Sequence, residues 1–344
     1  MNRRRTTLLQ AGLKTLYYSG AHRMLAPLTR GEGIVFTLHH VLPDAPDAFS
    51  PNRILTVTPS FLDAVINRVR AAGLAIVSLD EMRRRLLEPA DNGERFACFT
   101  IDDGYRDNLL HAHAVFEKHN VPYAIYLMTG LPDRSVGLWW RTLERIVATQ
   151  DVIDVPIAGQ ATRLAAGTVE EKYEAYETIY WHLRTLDVER AVAAGIDERG
   201  LAAGMGLSWD ELRGLNDSPL VTIGAHTLTH PALTQIAEAE ASYEMAESRR
   251  IIGEELGERP RHFSYPYGSK YDASCREFDL ARRLGFSTAV TTRPGVLYRE
   301  HARNLFSLPR VSLNGDYQNL LYLELFLSGA PFALANRFRH VDAA

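Results

Sequence analysis

Residues 95–104 read RFACFTIDDG: an apolar run from Phe96 to Ile101, two adjacent carboxylates, and a glycine. The run has the length and the aromatic and β-branched content of a buried strand. Neighbouring side chains of a regular strand point to opposite faces, so Asp102 and Asp103 can share one site only where the strand stops and the chain turns. Gly104 permits that turn. Outward from this stretch similar runs recur: GIVFTLHHV at 33–41, LAIVSL at 74–79 and PYAIYLMTG at 122–130. Further along come LVTIGAH at 220–226, HFSYPYG at 262–268, STAVTT at 287–292 and FSLPRVSL at 306–313. Helical patterns lie between them, at about 60–72, 107–119, 237–256 and 272–284, several opening at Ser or Asp. This β/α alternation predicts an α/β protein with a parallel sheet, open or closed into a barrel. His39, His40, Asp102, Asp103, His226 and Tyr267 all stand at or just past the end of a strand-like run, which is where a barrel gathers its reactive groups.

One interval breaks the rhythm. From about 131 to 207 the chain carries helix-like segments such as LWWRTLERIVATQ at 138–150 and VEEKYEAYETIYWHLRTL at 169–186 without intervening strands. It reads as a mostly helical insertion in a domain spanning 31–330. Its aromatic residues, among them Trp139, Trp140, Tyr173, Tyr176, Tyr180 and Trp181, suit either a small helical core or a wall for a sugar ring. Residues 331–344 read as a C-terminal tail.

The 344 residues are 46% apolar with a formal net charge of −4, a balance that fits a globular chain and gives no electrostatic footprint for nucleic acid. Cys98 and Cys275 are too few for a disulfide framework. The first thirty residues differ from the rest: Arg3, Arg4, Arg5, Lys14, Arg23 and Arg30 precede the first acidic residue, Glu32. Gln10, Lys14 and Tyr17 interrupt the apolar stretch that a secretory signal requires. Leu8, Leu9, Leu13, Leu16 and Tyr17 recur at helical spacing, so residues 1–30 are expected to form a basic helical segment. It either docks on its own domain or makes peripheral contact with a membrane. The expected location is cytoplasmic, at the inner membrane face if that contact forms.

Two carboxylates in a dry pocket cannot both stay ionised unless a cation compensates one, so DD at a strand end invites a metal. GAHTLTHPAL at 224–233 places His226 and His230 four apart, a spacing expected to align two imidazoles on one helical turn. Two His and one Asp leave open positions for water and substrate, and zinc or another first-row divalent ion accepts such a set. In HFSYPYG, Pro266 stiffens a loop whose Tyr267 N–H can face a developing oxyanion.

These three motifs, in this order, resemble those of the polysaccharide deacetylases, the NodB-homology group of carbohydrate esterase family 4. TIDDG is similar to their TFDDG, HTLTH to their H(S/T)xxH, and SYPYG to their RPPYG. The resemblance covers most of residues 33–313 outside the insertion. It implies a distorted (β/α)7-type barrel and metal-assisted removal of acetyl groups from an N-acetylated glycan such as an N-acetylglucosamine or chitooligosaccharide chain. It also implies a metal, zinc first with cobalt or nickel as substitutes, held by Asp103, His226 and His230, and Asp102 as the base for its water. Two positions depart from the pattern. The late Leu-x-His element that supplies an acid in many members reads SLPRVSL here, while FTLHHV is similar to the early YHxV/I element of a subgroup, which makes His39 the expected acid. Ser264 stands where many members carry a base-orienting arginine, and Arg310 is the expected replacement. The same metal and base would also serve another amide or a cyclic ureide, and a glycan-binding relative that has lost catalysis is a further alternative.

Overall fold

The computed structural model describes residues 3–43, 47–88, 93–184 and 204–341. Seven parallel strands form a closed barrel: β1 (Gly33–Leu38), β2 (Phe96–Asp103), β3 (Tyr123–Leu127), β4 (Val221–Ala225), β5 (His262–Ser264), β6 (Thr288–Pro294) and β7 (Leu308–Ser312). Their order around the barrel is their order in the chain, and β1 closes the ring by pairing β2 from Gly33↔Phe96 to Leu38↔Ile101 and β7 at Phe36↔Val311. The short strand Ala75–Ile76 adds to the first residues of β2. The distorted (β/α)7 barrel expected from the resemblance is therefore the fold.

Every residue of β1 and of β2 is buried, as befits strands covered on both faces, and this is why both read as continuous apolar runs rather than alternating ones. Alternation still sorts the side chains. Phe96 and Cys98 join an inner cluster with Val35, Tyr126 and Leu308, while Ala97, Phe99 and Ile101 pack outward with the helices. Helix Leu79–Leu87 contributes Leu79, Met82 and Leu86 to the inner cluster. Helix starts are fixed by side-chain caps: Thr58 and Ser78 each accept from the backbone three residues on, and Ser208 with Glu211 and Ser274 with Glu277 form capping boxes.

Between β3 and β4, helices Trp139–Thr149 and Val169–Arg184 enclose a small core of their own that includes Trp139, Leu143, Val147, Tyr176 and Ile179. A hairpin of Val152–Ile157 and Gln160–Ala165, turning at Ala158 and Gly159 with positive φ, stands between them. The helical reading of this stretch did not anticipate the hairpin, although the alternation in VIDVPI and the glycine at 159 carry its signature. Residues 185–203, which the insertion includes, lie outside the described residues. At the ends of the chain, helices Arg3–Tyr18 and Ala21–Thr29 precede the barrel. Helix Ala330–Ala335 opens the stretch read as a tail and buries Phe332 and Ala333.

Candidate metal centre and active site

Side-chain parity along β2 sends Asp102 into the barrel, as it does Phe96, Cys98 and Thr100; by the same parity Asp103 would face the helices. It does not, because the chain leaves the strand at this residue: Asp103 has φ 77° and Gly104 φ 86°. The positive φ at residue 104 favours glycine, and a Cβ there would also require the Leu127 side chain, 2.6 Å away at Cδ1, to shift. Left-handed backbone costs a residue with a Cβ about 1–2 kcal/mol. Asp103, Thr227, His230 and Tyr267 all adopt it, and all four lie in the three motifs. Strain concentrated in this way is the pattern expected where surrounding structure over-determines a functional geometry.

Asp102 is held from within the barrel. Arg310 on β7 donates Nη1–H to Oδ1 at 2.7 Å and Nη2–H to Oδ2 at 2.6 Å, a bidentate pair with both side chains fully enclosed. The guanidinium also donates to Thr291 O, Thr100 Oγ1 and Ser264 Oγ, at 2.8, 3.1 and 3.0 Å. Burial alone would push the Asp102 carboxyl up. The charge and hydrogen bonds of Arg310 outweigh it and hold the group below the usual carboxylate range.

Asp103 looks the other way, towards His226 and His230. Their Nε2 atoms lie 3.3 and 3.5 Å from its Oδ1. His226 donates Nδ1–H to Ser264 O at 2.7 Å, which fixes the tautomer and leaves Nε2 as the lone-pair atom. The two histidines do not share a helical turn, contrary to the spacing argument. Residues 226–230 form an irregular loop, with φ 65° at Thr227 and 64° at His230. Pro231 disfavours helical backbone at His230. The buried Glu244 carboxylate ties the loop down by accepting from Leu228 N, Thr229 N and Thr229 Oγ1 at 2.9, 3.0 and 2.7 Å. Nothing in GAHTLTHPAL indicates that anchor, which arrives from helix Glu238–Leu256.

The residues present fit a cation. One ligand atom from each of Asp103, His226 and His230 falls within 4.8 Å of the other two. Asp103 Oδ1 has no well-formed hydrogen bond despite full enclosure. Burial pushes His230 down to about 4, so at neutral pH its ring is an uncharged imidazole, the form that ligates a metal. A buried carboxylate oxygen facing two imidazole Nε2 atoms, one of them on a ring whose Nδ1–H is already engaged, is an arrangement that a divalent ion completes.

A cavity of about 270 Å³ opens on this centre. Asp102, Asp103, His226, His230, His39 and Tyr267 all reach it, whereas Pro266 is buried behind the loop and does not line it. Adjacent His39 and His40 are sorted by the turn after β1. His39 meets the cavity. His40 stacks on Tyr105 with ring centres 3.8 Å apart and bonds Asp107 Oδ1 through Nδ1 at 2.9 Å. Asp107 also accepts from Val41 N, and Asn108 Nδ2 donates to His39 O, so the residues just after DDG hold the His39 corner against the end of β2. They begin a π-helical turn, Asn108–His113, where an ordinary helix was expected. Burial pushes the His39 ring down, with Asp103 and Asp102 opposing. The Tyr267 N–H has no hydrogen-bond partner among the described residues. Its ring packs against His230 at 4.7 Å and under the Arg184 guanidinium at 4.1 Å.

The insertion supplies the opposite wall through Trp140, Tyr180 and Arg184. Trp140 donates to Tyr105 Oη at 3.2 Å and places its ring 5.4 Å from that of His230, while Arg184 pairs with the buried Asp272 at 2.7 Å. The aromatic residues thus divide between the two roles considered: Trp139 and Tyr176 fill the insertion's core, and Trp140 and Tyr180 border the cavity.

Comparison with known proteins bears on the fold and on the family that the chain resembles. The family model described as polysaccharide deacetylase matches residues 160–289, which carry His226, His230 and the Pro266–Tyr267 loop. YxkH of Bacillus subtilis (strain 168), named for the same family, is 26% identical over 94 residues, 27% of this chain and about a third (32%) of the relative. Among solved structures, Streptococcus pyogenes deacetylase PplD in complex with acetate superposes with a TM-score of 0.58 at 17% identity, over 85% of this chain and 97% of that one. IcaB from Ammonifex degensii gives 0.56 at 16% identity, over 87% and 97%. The de-N-acetylase from Aggregatibacter actinomycetemcomitans gives 0.56 at 14%, over 85% and 99%. At these identities the superpositions speak for the fold, and over residues 160–289 the chain is similar to the polysaccharide deacetylases, the family whose motifs its sequence resembles.

Proposed function

We propose that this chain is a metal-dependent hydrolase that removes N-acetyl groups from an amino-sugar glycan, with N-acetylglucosamine oligomers as its simplest substrates. The observation that carries the reading is the separation of two adjacent carboxylates: Asp102 is neutralised by Arg310, and Asp103 is left facing two imidazoles. One is equipped as a base and the other as a ligand. Asp103, His226 and His230 would hold the ion, zinc by preference for an N,N,O set, with cobalt or nickel as substitutes. When bound, it supplies Lewis acidity to the acetyl carbonyl and a lowered pKa for water.

The chain's own groups do the remainder. Asp102, ionised at neutral pH and fixed in orientation by two bonds from Arg310, accepts a proton from the attacking water. The free N–H of Tyr267 is available to the oxygen on which negative charge develops. His39, which lines the same cavity as the carboxylates, donates to the leaving amine; burial pushes its ring down, so it must take up a proton first, which the nearby carboxylates favour. Trp140 and Tyr180 offer aromatic faces against which a sugar ring packs. The acetate bound to PplD and the de-N-acetylase for which the Aggregatibacter protein is named favour acetyl over ureide chemistry. The test is acetate release from N-acetylglucosamine oligomers with and without chelator, followed by metal restoration. Release that is lost with chelator and recovered with zinc supports the reading; release unaffected by chelator overturns it.

A further inference from the structure

The N-terminal helices have two unlike faces. Inward, Leu13, Leu16 and Tyr17 pack on the barrel's outer core, Gln10 donates to Asp316 O at 2.8 Å, and Thr29 Oγ1 donates to Ser328 O at 2.7 Å. Outward, Leu8 is 73%, Met24 83% and Leu28 74% exposed, with Leu9 at 53%. Both helices rest on helix Leu320–Ser328 and touch each other, so their exposed apolar residues lie on neighbouring elements. Helix Ala330–Ala335 packs beside helix Ala21–Thr29, and exposed Leu334 and Phe338 extend the apolar residues there. Exposed apolar groups clustered in this way mark an interaction surface rather than scattered surface residues.

The charge beside them is mostly basic, with Glu324 turned to Tyr17 and Glu300 paired with His340. Lys14, Arg23, Arg337 and Arg339 are exposed, and none has a carboxylate partner among the described residues. No acidic residue occurs before Glu32 or between Leu325 and Val341, in a chain whose net charge is −4. Unpaired cations bordering exposed leucine, methionine and phenylalanine complement a surface that is anionic in its plane and apolar just beneath, which describes a bilayer containing acidic phospholipid. Among the described residues no helix is long and apolar enough to cross a membrane. We propose that this face of the N-terminal helix pair docks on an anionic lipid bilayer, with the helices lying in the interface and remaining packed on the barrel.

The test uses the full chain and vesicles of phosphatidylglycerol or of phosphatidylcholine in a sedimentation assay. The expected result is binding to the first and not the second, weakened about tenfold or more by Lys14→Glu with Arg23→Glu and, separately, by Met24→Ser with Leu28→Ser. Hydrogen–deuterium exchange of the unmodified chain should show vesicle-induced protection at residues 6–30 and 330–341, a measurement that requires no variant to fold. Failure to bind acidic vesicles, or protection located elsewhere, overturns the proposal. So does self-association without lipid that the same substitutions abolish, because a second copy would then cover the face. Asp103→Ala should bind vesicles as the parent does, so the outcome is independent of the catalytic reading.

Discussion

Asp102 and Asp103 are neighbours in sequence with different surroundings. Asp102 lies in the barrel interior, where strands converge and a buried cation can be shared among β2, β5 and β7; its partners are regular-strand residues with fixed directions. Asp103 lies one residue further on, at the last position of the strand, where the backbone turns left-handed, and its partners flank a loop anchored by Glu244. A barrel supplies rigid orientation from its interior and geometric freedom at its rim. A single step of the chain across that boundary gives two adjacent carboxylates different surroundings, on which the proposed division into base and ligand rests.

The comparison can be broken most directly from the rim. Asp103→Ala should abolish metal content, read by elemental analysis, and lower acetate release by about three orders of magnitude or more, since the ion's contribution is lost with its ligand. On the interior side, Asp102→Asn should retain metal and lower kcat by about 10²–10⁴-fold, the usual range for a positioned base. Equal metal loss in both variants would erase the distinction between the two carboxylates.

Arg310→Met sharpens the same point through stability. Removing one partner of a buried pair leaves an uncompensated charge and costs about 3–5 kcal/mol. Because Arg310 holds the folded-state pKa of Asp102 below its unfolded value, the pair's contribution is present above the unfolded carboxyl pKa and lost as pH falls through the folded one. Denaturant melts should therefore show a smaller gap between variant and parent in strong acid than at pH 7. A gap independent of pH would sever Arg310 from Asp102.

The smallest expected effect concerns the loop. Glu244→Gln keeps the size of the anchor and removes its charge, and should weaken metal binding by about 10–100-fold, as outer-shell changes usually do, with kcat at saturating metal little changed. Metal titration followed by calorimetry distinguishes this from a general loss of folding.

Much of this was legible in the residues. FTIDDG announces a strand that ends at two carboxylates, and the order of DDG, HTLTH and YPYG indicates the fold and brings Asp103, His226 and His230 forward as a candidate ligand set. Arg310 was readable as a replacement for the arginine missing at Ser264 because parallel strands place their ends together. Other features were not. The spacing of His226 and His230 suggests a helix, and only Glu244 from a distant helix and the proline after His230 explain the loop. The hairpin at 152–165 was hidden by the helical patterns beside it. Asp107 and Asn108 read as a helix start, yet they hold the corner that turns His39 to the cavity and His40 away.

Periodicity and motif order determined the barrel and the chemical types of its reactive groups, because those follow from local burial and from residue chemistry that any neighbourhood would preserve. Tertiary structure alone decided which carboxylate meets the arginine and which the histidines, and which of two adjacent histidines reaches the cavity. Those choices depend on a few backbone angles at strand ends, and residues far away in the sequence hold the angles in place.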